Sequence, residues 1–361
     1  MSAIAAPVRL CGTTRHLRPA WQGDRRAVRW RTAAAVLLGA VFVAAAAPAA
    51  AAATAAACPS APAVPGPATL AQMQARAQDR GFLWRVRKDG REGYLYGTVH
   101  VGRQAWAMPG PRLTQALLAS QVLALELDPL DPSIQQRMAA LVTGHAGEWP
   151  AGLRSRMQAQ ASRVCLPEAV QTALHPAMVL TTIELYALRS QKLYAEYAQE
   201  YVLSGWARAR SVPVVSLETP EAQMRLLLGP PDHVDGQALE DGLAALEQGR
   251  SAGIAQTLAG IWSTSDLPRL ADYAGWCGCM DTPRDRAQVQ ALLADRNPVL
   301  ADGIDRLQAD GKPWLVAVGA LHMIGPQGLP ALLQARGYAI EYLSLAKSSA
   351  KKAPAKNVKE P

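Results

Sequence analysis

The sequence predicts an α/β fold with a mainly parallel central sheet, an N-terminal β-hairpin and a large helical cap. Short apolar runs alternate with helical segments along the 361 residues. Most of these runs are continuously apolar, which is typical of strands buried on both faces of a parallel sheet. Two helical blocks, residues 132–206 and 237–308, are long for crossover connections. We therefore expect them to lie over one end of the sheet.

Residues 1–57 are expected to be a cleaved signal peptide. A cluster of arginines precedes an alanine-rich apolar run from Ala33 to about Ala57, and Ala-x-Ala sequences within it offer cleavage sites. The mature protein would then be periplasmic or secreted, and would meet the membrane only transiently through this peptide. Two alternatives remain open. The segment could stay as an uncleaved anchor, or a lipid could be attached to Cys58, although the leucine usually required before such a cysteine is missing.

The net charge of +8 belongs to the ends of the chain. Residues 1–57 carry +6 and residues 347–361 carry +4, which leaves −2 for the body between them. A body without surplus positive charge has nothing to attract a phosphate backbone, so nucleic-acid binding is not expected. Residues 346–361 are rich in Lys, Ala, Ser and Pro and are expected to form a disordered tail.

The mature chain begins with a Pro- and Ala-rich stretch over residues 58–68, which predicts an extended lead-in. One domain is expected over residues 69–345. It opens with a helix over 69–80, which Gly81 ends.

A β-hairpin is predicted next, because Asp89-Gly90 separates two strand-like runs, residues 82–86 and 93–96. The helical pattern is continuous over 283–308, which predicts one long helix there. Further strands are predicted at 121–128, 213–219, 313–318 and 338–343.

Four cysteines remain after residue 57, and an oxidising compartment would allow them to form disulfide bonds. We expect Cys165 to pair with Cys277 or Cys279. The Cys277-Gly-Cys279 spacing is too tight for a zinc ribbon, and no second cysteine pair accompanies it.

Two similar motifs, Gly97-Thr-Val-His100 and Gly319-Ala-Leu-His322, each follow an apolar run. A glycine at a strand end leaves room for neighbouring groups to approach closely. Ligand sites of parallel sheets gather at the carboxyl ends of the strands. We therefore expect His100 and His322 to meet in one polar site.

Glu126 and Glu218 each end an apolar strand, where a carboxylate needs a partner. Two imidazoles and one or two carboxylates suit a divalent transition metal, with His100, His322 and Glu126 as the ligands. Such a metal lowers the pKa of a bound water, which Glu126 would activate with support from Glu218. The alternative for either glutamate is a structural bond to backbone amides or an arginine.

Arg296 is a weaker candidate on the approach to the second histidine motif. It could pair with a glutamate or hold a substrate carboxylate, because a guanidinium suits both. A surface salt bridge is the third interpretation.

Taken together, these motifs resemble the TraB/GumN (TraB/PrgY/GumN) family, over about residues 70–345 and in that family's order. That family is similar to the TIKI metalloproteases and, more remotely, to erythromycin-esterase and ChaN-like proteins. The resemblance implies an α/β fold with paired Gly-x-x-His motifs and an acidic residue around a divalent metal such as manganese or cobalt. The motifs are Leu95–Gly102, Leu125–Asp128, Leu217–Thr219, Arg296-Asn297 and Val318–Gly325.

The resemblance assigns the paired histidines to His100 and His322, and the strand-end glutamate to Glu126. Many relatives also carry Gly-x-Asp or Gly-x-Glu in the mid-chain helical region, whereas the corresponding stretch here, Leu193–Tyr197, lacks the glycine. Substrate recognition is therefore the part that the resemblance implies least.

The sequence thus predicts an exported, metal-dependent, peptidase-like hydrolase acting on a peptide or small molecule. Serine-hydrolase elbows, P-loops, dinucleotide fingerprints and His-Glu-x-x-His are absent from the sequence, which argues against those chemistries. The alternative is a non-catalytic periplasmic binding or cell-envelope accessory protein. Such a protein would keep the pocket for a ligand, a metal, haem or a polypeptide partner.

Overall fold

The computed structural model describes residues 58–143, 152–229 and 234–345. The expected signal peptide, residues 1–57, and the expected tail, residues 346–361, lie outside these ranges. Within them, every helix is too short or too polar to span a membrane.

The described strands form one mixed sheet. Their bounds are β1 Phe82–Lys88, β2 Arg91–Thr98, β3 Val122–Leu125, β4 Val214–Ser216, β5 Trp314–Gly319 and β6 Ala339–Leu343. The order across the sheet is β4-β3-β5-β2-β1-β6. The strands β4, β3, β5 and β2 pair in parallel, whereas β1 is antiparallel to both β2 and β6. The predicted α/β class is confirmed, with a sheet of both pairing types.

Helices connect and cover these strands. Their bounds are α1 Pro67–Ala75, α2 Pro111–Ala119, α3 Pro132–Val142, α4 Leu153–Arg163, α5 Glu168–Ala173, α6 Pro176–Leu188, α7 Gln199–Arg208, α8 Pro220–Leu228, α9 Gly236–Glu247, α10 Arg250–Thr264, α11 Leu267–Ala271, α12 Tyr273–Cys277, α13 Pro283–Leu292, α14 Asn297–Asp310 and α15 Leu329–Ala335. Short 3-10 turns lie at Gln104–Trp106, Arg189–Gln191, Ala195–Tyr197 and Ala320–Met323.

The hairpin of β1 and β2 turns at Asp89 and Gly90, as the sequence predicts. Both residues have positive φ, 51° and 72°, which is the geometry of a tight hairpin turn. Gly93 in β2 packs beneath the Trp314 ring, where a Cβ would lie 2.4 Å from ring carbons. A side chain at residue 93 would therefore displace Trp314 from the centre of the sheet.

The prediction of one helix over 283–308 was wrong, because the chain forms α13 and then α14. Pro298 occupies the first turn of α14, where its missing N–H costs nothing. A proline also disfavours helical geometry in the residue before it, so a helix approaching Pro298 tends to end. The break over residues 293–296 brings Arg296 to the start of α14.

Two hydrophobic clusters stabilise the described chain. The larger surrounds the sheet, and the completely buried Leu315, Val316 and Val318 of β5 lie at its centre. The smaller lies within the helical segments, built by α4, α6 and α9 and the loop after α4. Its buried members are Leu153, Met157, Ala161, Val164, Leu166, Val179, Leu180, Ile183, Leu239 and Leu243.

The disulfide pairing differs from the prediction that joined Cys165 to Cys277 or Cys279. Cys58 pairs with Cys165, with their Cα atoms 5.7 Å apart, and Cys277 pairs with Cys279 at 5.1 Å. Gly278 adopts positive φ (55°) and turns the chain so that its two neighbours meet. Cys165 lies just beyond α4, within reach of the lead-in. The sequence could not show that the lead-in returns to the helical segments.

Candidate functional site

Four predicted site residues lie at the carboxyl ends of four adjacent strands. Glu218 follows β4, Glu126 follows β3, His322 follows β5 and His100 follows β2. These strands are parallel, so their carboxyl ends open on the same edge of the sheet. A polar group at each end therefore faces the same region.

The side chains of His100, His322 and Glu126 converge around Gly319. A Cβ at Gly319 would lie 3.4 Å from Oε1 of Glu126, 3.6 Å from Cδ2 of His322 and 3.7 Å from Nε2 of His100. These are ordinary contact distances, so the backbone does not require glycine there. A side chain would instead fill the space among the three polar groups.

His322 is held with Nδ1 2.7 Å from Oδ1 of Asn297. The amide orientation is determined, because Nδ2 of Asn297 donates to the carbonyl of Gln327 at 2.7 Å. Nδ1 of His322 must then carry the hydrogen, and Nε2 faces Oε1 of Glu126 at 3.7 Å with a lone pair. Burial lowers the pKa of His322 to about 4, against the attraction of Glu126. His322 is therefore neutral at neutral pH.

His100 is oriented by Glu200, which lies in the first turn of α7. Nδ1 of His100 lies 3.2 Å from Oε1 of Glu200, and the hydroxyl of Thr98 donates to the same oxygen. The charge of Glu200 raises the pKa of His100 to about 9. The side chain of His100 is 70% exposed, so water screens part of this attraction. The upward shift of its pKa still favours a protonated His100 at neutral pH.

Glu126 is ionised and fully engaged. Its Oε1 accepts the Gly319 N–H at 2.8 Å, and its Oε2 accepts from Arg296 at 2.6 Å and from Gln223 at 3.3 Å. Burial alone would raise the pKa of Glu126, but the surrounding positive charges and the Gly319 N–H hold it at about 2. Because His322 is neutral at neutral pH, His100 and Arg296 supply the charges there.

Arg296 joins the two glutamates. Nε donates to Oε1 of Glu218 at 2.8 Å, and Nη2 bonds both Glu218 and Glu126. Nη1 donates to the Leu292 carbonyl at 3.0 Å, and Gln223 adds a bond to Glu218 at 2.9 Å. Of the interpretations left open by the sequence, pairing with a glutamate is the one found. Glu218 lies behind Arg296 and does not line the cavity.

The motif residue Asp128 has a structural place beside the site. Its carboxylate accepts from both terminal nitrogens of Arg208, at 3.1 and 2.7 Å, and from the Ser204 hydroxyl at 2.6 Å. Arg208 and Ser204 belong to α7, the helix that carries Glu200. These bonds to the buried Asp128 therefore tie the end of β3 to the helix that orients His100.

The site forms the floor of a cavity of about 340 Å³. Its polar lining comes from Thr98, His100, Glu126, Gln223, Arg296 and His322. Its apolar lining includes six leucines, here termed the leucine wall: Leu226, Leu227, Leu258, Leu292, Leu293 and Leu321.

The two residues that orient the histidines, Glu200 and Asn297, were not among the sequence candidates. Glu200 lies three positions after Leu193–Tyr197, the mid-chain stretch that lacks the glycine expected from the resemblance. A wider search for an acid at the next helix start would have included it. Asn297 was noted only as part of Arg296-Asn297, and its pairing with His322 depends on how α14 packs beside β5.

The donor atoms suit a divalent cation in part. Each imidazole has an oxygen beside its Nδ1, that of Asn297 for His322 and that of Glu200 for His100. This leaves Nε2 of each ring for another partner, which is the usual orientation of a metal-ligating histidine. In the described ranges, however, no group of three or more His, Cys, Asp or Glu side chains is arranged to hold a metal ion. Glu126 already shares its charge with Arg296, so a cation would have to compete for it.

Comparison with known proteins identifies relatives without an assigned activity. The uncharacterized protein YbaP of Shigella flexneri and that of Escherichia coli (strain K12) are each 26% identical over 252 residues. The match covers 68% of this chain and 88% of each relative. No solved structure gives a significant match. The TraB/PrgY/gumN family matches residues 82–342, which include all of the site residues, so the chain belongs to this family.

Proposed function

We propose that this chain is a hydrolase that cleaves an amide or ester bond, in a peptidase-like reaction, at His100, Glu126 and His322. The observation that carries the proposal is the convergence of His100, His322 and Glu126 on the floor of one cavity, where the pKa of His100 is raised and that of His322 is lowered. Environments that separate the pKa values of neighbouring groups are typical of acid and base partners. Hydrolysis needs both, one to accept a proton from water and one to protonate the leaving group.

His322 is the proposed base. Its Nε2 takes a proton from the attacking water as the water oxygen bonds to the substrate carbonyl carbon. The Nδ1–H of His322 remains hydrogen-bonded to Oδ1 of Asn297. Glu126 stabilises the imidazolium that forms, because its Oε1 lies 3.7 Å from Nε2. Glu126 is the weaker base of the two, because the Gly319 N–H and Arg296 already occupy its oxygens and hold its pKa low. This assigns Glu126 an electrostatic role in place of the water-activating role expected from the sequence.

His100 is the proposed acid. Its proton passes to the leaving nitrogen or oxygen as the bond to the carbonyl carbon breaks. His322 then releases its proton to solvent and His100 takes one up, which restores the starting state. Glu200 keeps His100 protonated. Glu218 acts indirectly, because it holds Arg296 in position.

A metal-assisted form of the same hydrolysis, which is the form that the sequence predicts, is the second candidate. The position of both histidines and Glu126 around Gly319 favours it. His100, His322 and Glu126 would hold the ion, and manganese or cobalt is the expected metal. When bound, such an ion lowers the pKa of a water molecule. His100 would then have to be neutral, so the two forms differ in the proton that it carries.

Export is part of the proposal. Both disulfides, Cys58–Cys165 and Cys277–Cys279, support an oxidising compartment. The first of them uses the sulfur that a lipid on Cys58 would need, which favours cleavage and disulfide formation over lipid attachment. The mass of the mature protein, measured before and after reduction, distinguishes a disulfide from an acylated Cys58.

The test of function uses purified mature protein, either treated with a chelator or loaded with Mn²⁺, Co²⁺ or Zn²⁺. Cleavage of a peptide library is followed by mass spectrometry for native protein and for His322→Ala, His100→Ala and Glu126→Gln. Cleavage that survives chelation and falls by about 100-fold or more in His322→Ala supports the acid and base assignment. Arg137→Met, at the exposed pair with Glu221, is the matched control and should leave cleavage unchanged.

The metal content of the same samples separates the remaining outcomes. Cleavage only after loading, with metal lost in His100→Ala and His322→Ala, favours the metal-assisted form. Metal or ligand binding without cleavage in any sample contradicts the hydrolase proposal and favours the non-catalytic binding protein.

A further inference from the structure

The leucine wall places six large apolar side chains around one cavity and leaves all of them at least partly exposed. None of its six leucines is fully buried, and Leu227 is 51% exposed. They come from separate segments, with α8, α10, the end of α13 and the turn after β5 each contributing. Single exposed leucines are normal on a protein surface, but a cluster that rims one cavity is typical of a binding site.

The floor beneath this wall offers little to a charged ligand. All three nitrogens of Arg296 already donate to Glu126, Glu218 or Leu292. Both carboxylates accept from Arg296, so each has a positive partner, and the charge of protonated His100 is paired with Glu200. Leucine side chains cannot hydrogen-bond, and burying a charged group against them without a partner is costly. The lining thus favours a neutral group.

The size of the cavity limits what fits. At about 340 Å³ it is near the lower end of the range for small-molecule sites. One aliphatic side chain and the adjoining backbone amide suit such a space better than a long polymer buried along its length. The polar floor at His100 and His322 then lies beside that amide.

We propose that the pocket selects a neutral peptide or peptide-like substrate with an aliphatic side chain, such as leucine, next to the bond that is cleaved. This inference rests on the proposed hydrolase function. The leucine wall packs on the aliphatic side chain, and the adjoining carbonyl lies between His100 and His322. Leu227 at the rim is a specificity-determining residue.

The test measures binding of inert ligands, so it does not depend on turnover. N-acetylleucinamide, N-acetyllysinamide and N-acetylglutamic acid amide are titrated into the full mature protein and followed by NMR. We expect N-acetylleucinamide to bind at least about tenfold more tightly than the charged analogues, because apolar pocket contacts give discrimination of that order. Leu227→Asp should weaken this binding by about tenfold.

Leu118→Asp is the matched control. Leu118 is 64% exposed on α2 and does not line the cavity, so the same substitution there should leave binding unchanged. Equal binding of the three ligands, no binding of N-acetylleucinamide, or equal losses in both variants would overturn the inference.

A second measurement separates this inference from the proposed function. If N-acetylleucinamide binds selectively but the peptide library is not cleaved, the hydrolase proposal fails while the aliphatic pocket stands. If the library is cleaved without preference for aliphatic residues at the cleavage site, the hydrolase proposal stands and the aliphatic selection fails.

Discussion

Asn297 determines which nitrogen of His322 carries the hydrogen. Its Oδ1 lies 2.7 Å from Nδ1 of His322, while its Nδ2 donates to the Gln327 carbonyl at 2.7 Å. A reversed amide would place Oδ1 against that carbonyl, which can only accept, and the bond would be lost. His322 therefore presents the unprotonated Nε2 to the cavity. The second histidine motif depends on a residue 25 positions earlier for its chemistry.

Replacement of Asn297 by Ala should release this constraint. Asn297 is only 2% exposed, so its loss leaves the buried Nδ1 of His322 without this partner and should lower the free energy of unfolding by about 1–3 kcal/mol. Urea denaturation measures the stability, and ¹⁵N NMR of the imidazole should show a mixture of tautomers. Val299→Ala, at a half-exposed position of the same helix, is the control. A single unchanged tautomer in Asn297→Ala would contradict the assignment.

Replacement of Arg296 by Met should be strongly destabilising. The side chains of Glu126 and Glu218 are only 9% and 5% exposed, and loss of Arg296 leaves their charges unpaired. Removal of one partner of a buried ion pair typically costs about 3–5 kcal/mol. Denaturant titration should show a much smaller change for Arg137→Met, whose partner is exposed. Similar losses in the two variants would contradict the view that Arg296 neutralises buried charge.

Stability should fall as the pH is lowered from 6.5, because of His322. Its folded-state pKa is about 4, whereas an unperturbed histidine titrates near 6.5. Between pH 6.5 and 4, His322 is protonated in the unfolded chain but not in the folded chain. The contribution of His322 to the free energy of unfolding, which is complete above pH 6.5, is therefore lost as the pH falls toward 4. The expected loss is about 2 kcal/mol between pH 6.5 and 4.5. Native protein should lose more than His322→Gln over this range, and parallel curves would contradict the prediction.

The raised pKa of His100 should depend on Glu200. Its folded-state pKa of about 9 lies above the unperturbed value, so this contribution to stability is complete below about pH 6.5 and is lost as the pH rises through 9. In an NMR titration, Glu200→Gln should return the pKa of His100 toward about 6.5. The titration of His322 serves as the internal control and should change little. A His100 pKa that stays high in this variant would exclude Glu200 as the cause.

The two disulfides should differ in their contribution to stability. Cys58 and Cys165 are 107 positions apart, whereas Cys277 and Cys279 are separated by 2. A crosslink over a long loop restricts the unfolded chain more, so Cys58→Ser should cost about 2–4 kcal/mol and Cys279→Ser clearly less. Denaturant titration without reductant measures both. Peptide mapping under the same conditions tests the pairing, and a Cys165 bond to Cys277 or Cys279 would refute it.

Strand-end residues were predictable because their signal is local. An apolar run followed by a glycine and a histidine, or ending in a glutamate, predicts a strand and the residue that follows it. The hairpin was predictable for the same reason, since Asp89-Gly90 suits its turn. The order of the strands in the sheet could not be predicted from local patterns. The antiparallel pairing of β1 with β6 could not be predicted either, because both depend on strands that are distant in the sequence.

The sequence by itself determined that His100, Glu126, Glu218 and His322 each follow an apolar strand. A strand and its end depend on the pattern of residues that are adjacent in the chain. Only the tertiary structure decided how these groups are charged. Arg296 reaches Glu218 and Glu126 across 78 and 170 positions, and Glu200 reaches Thr98 across 102. Such contacts are made by helices docking on the sheet, and burial together with these distant charges sets the protonation of each histidine.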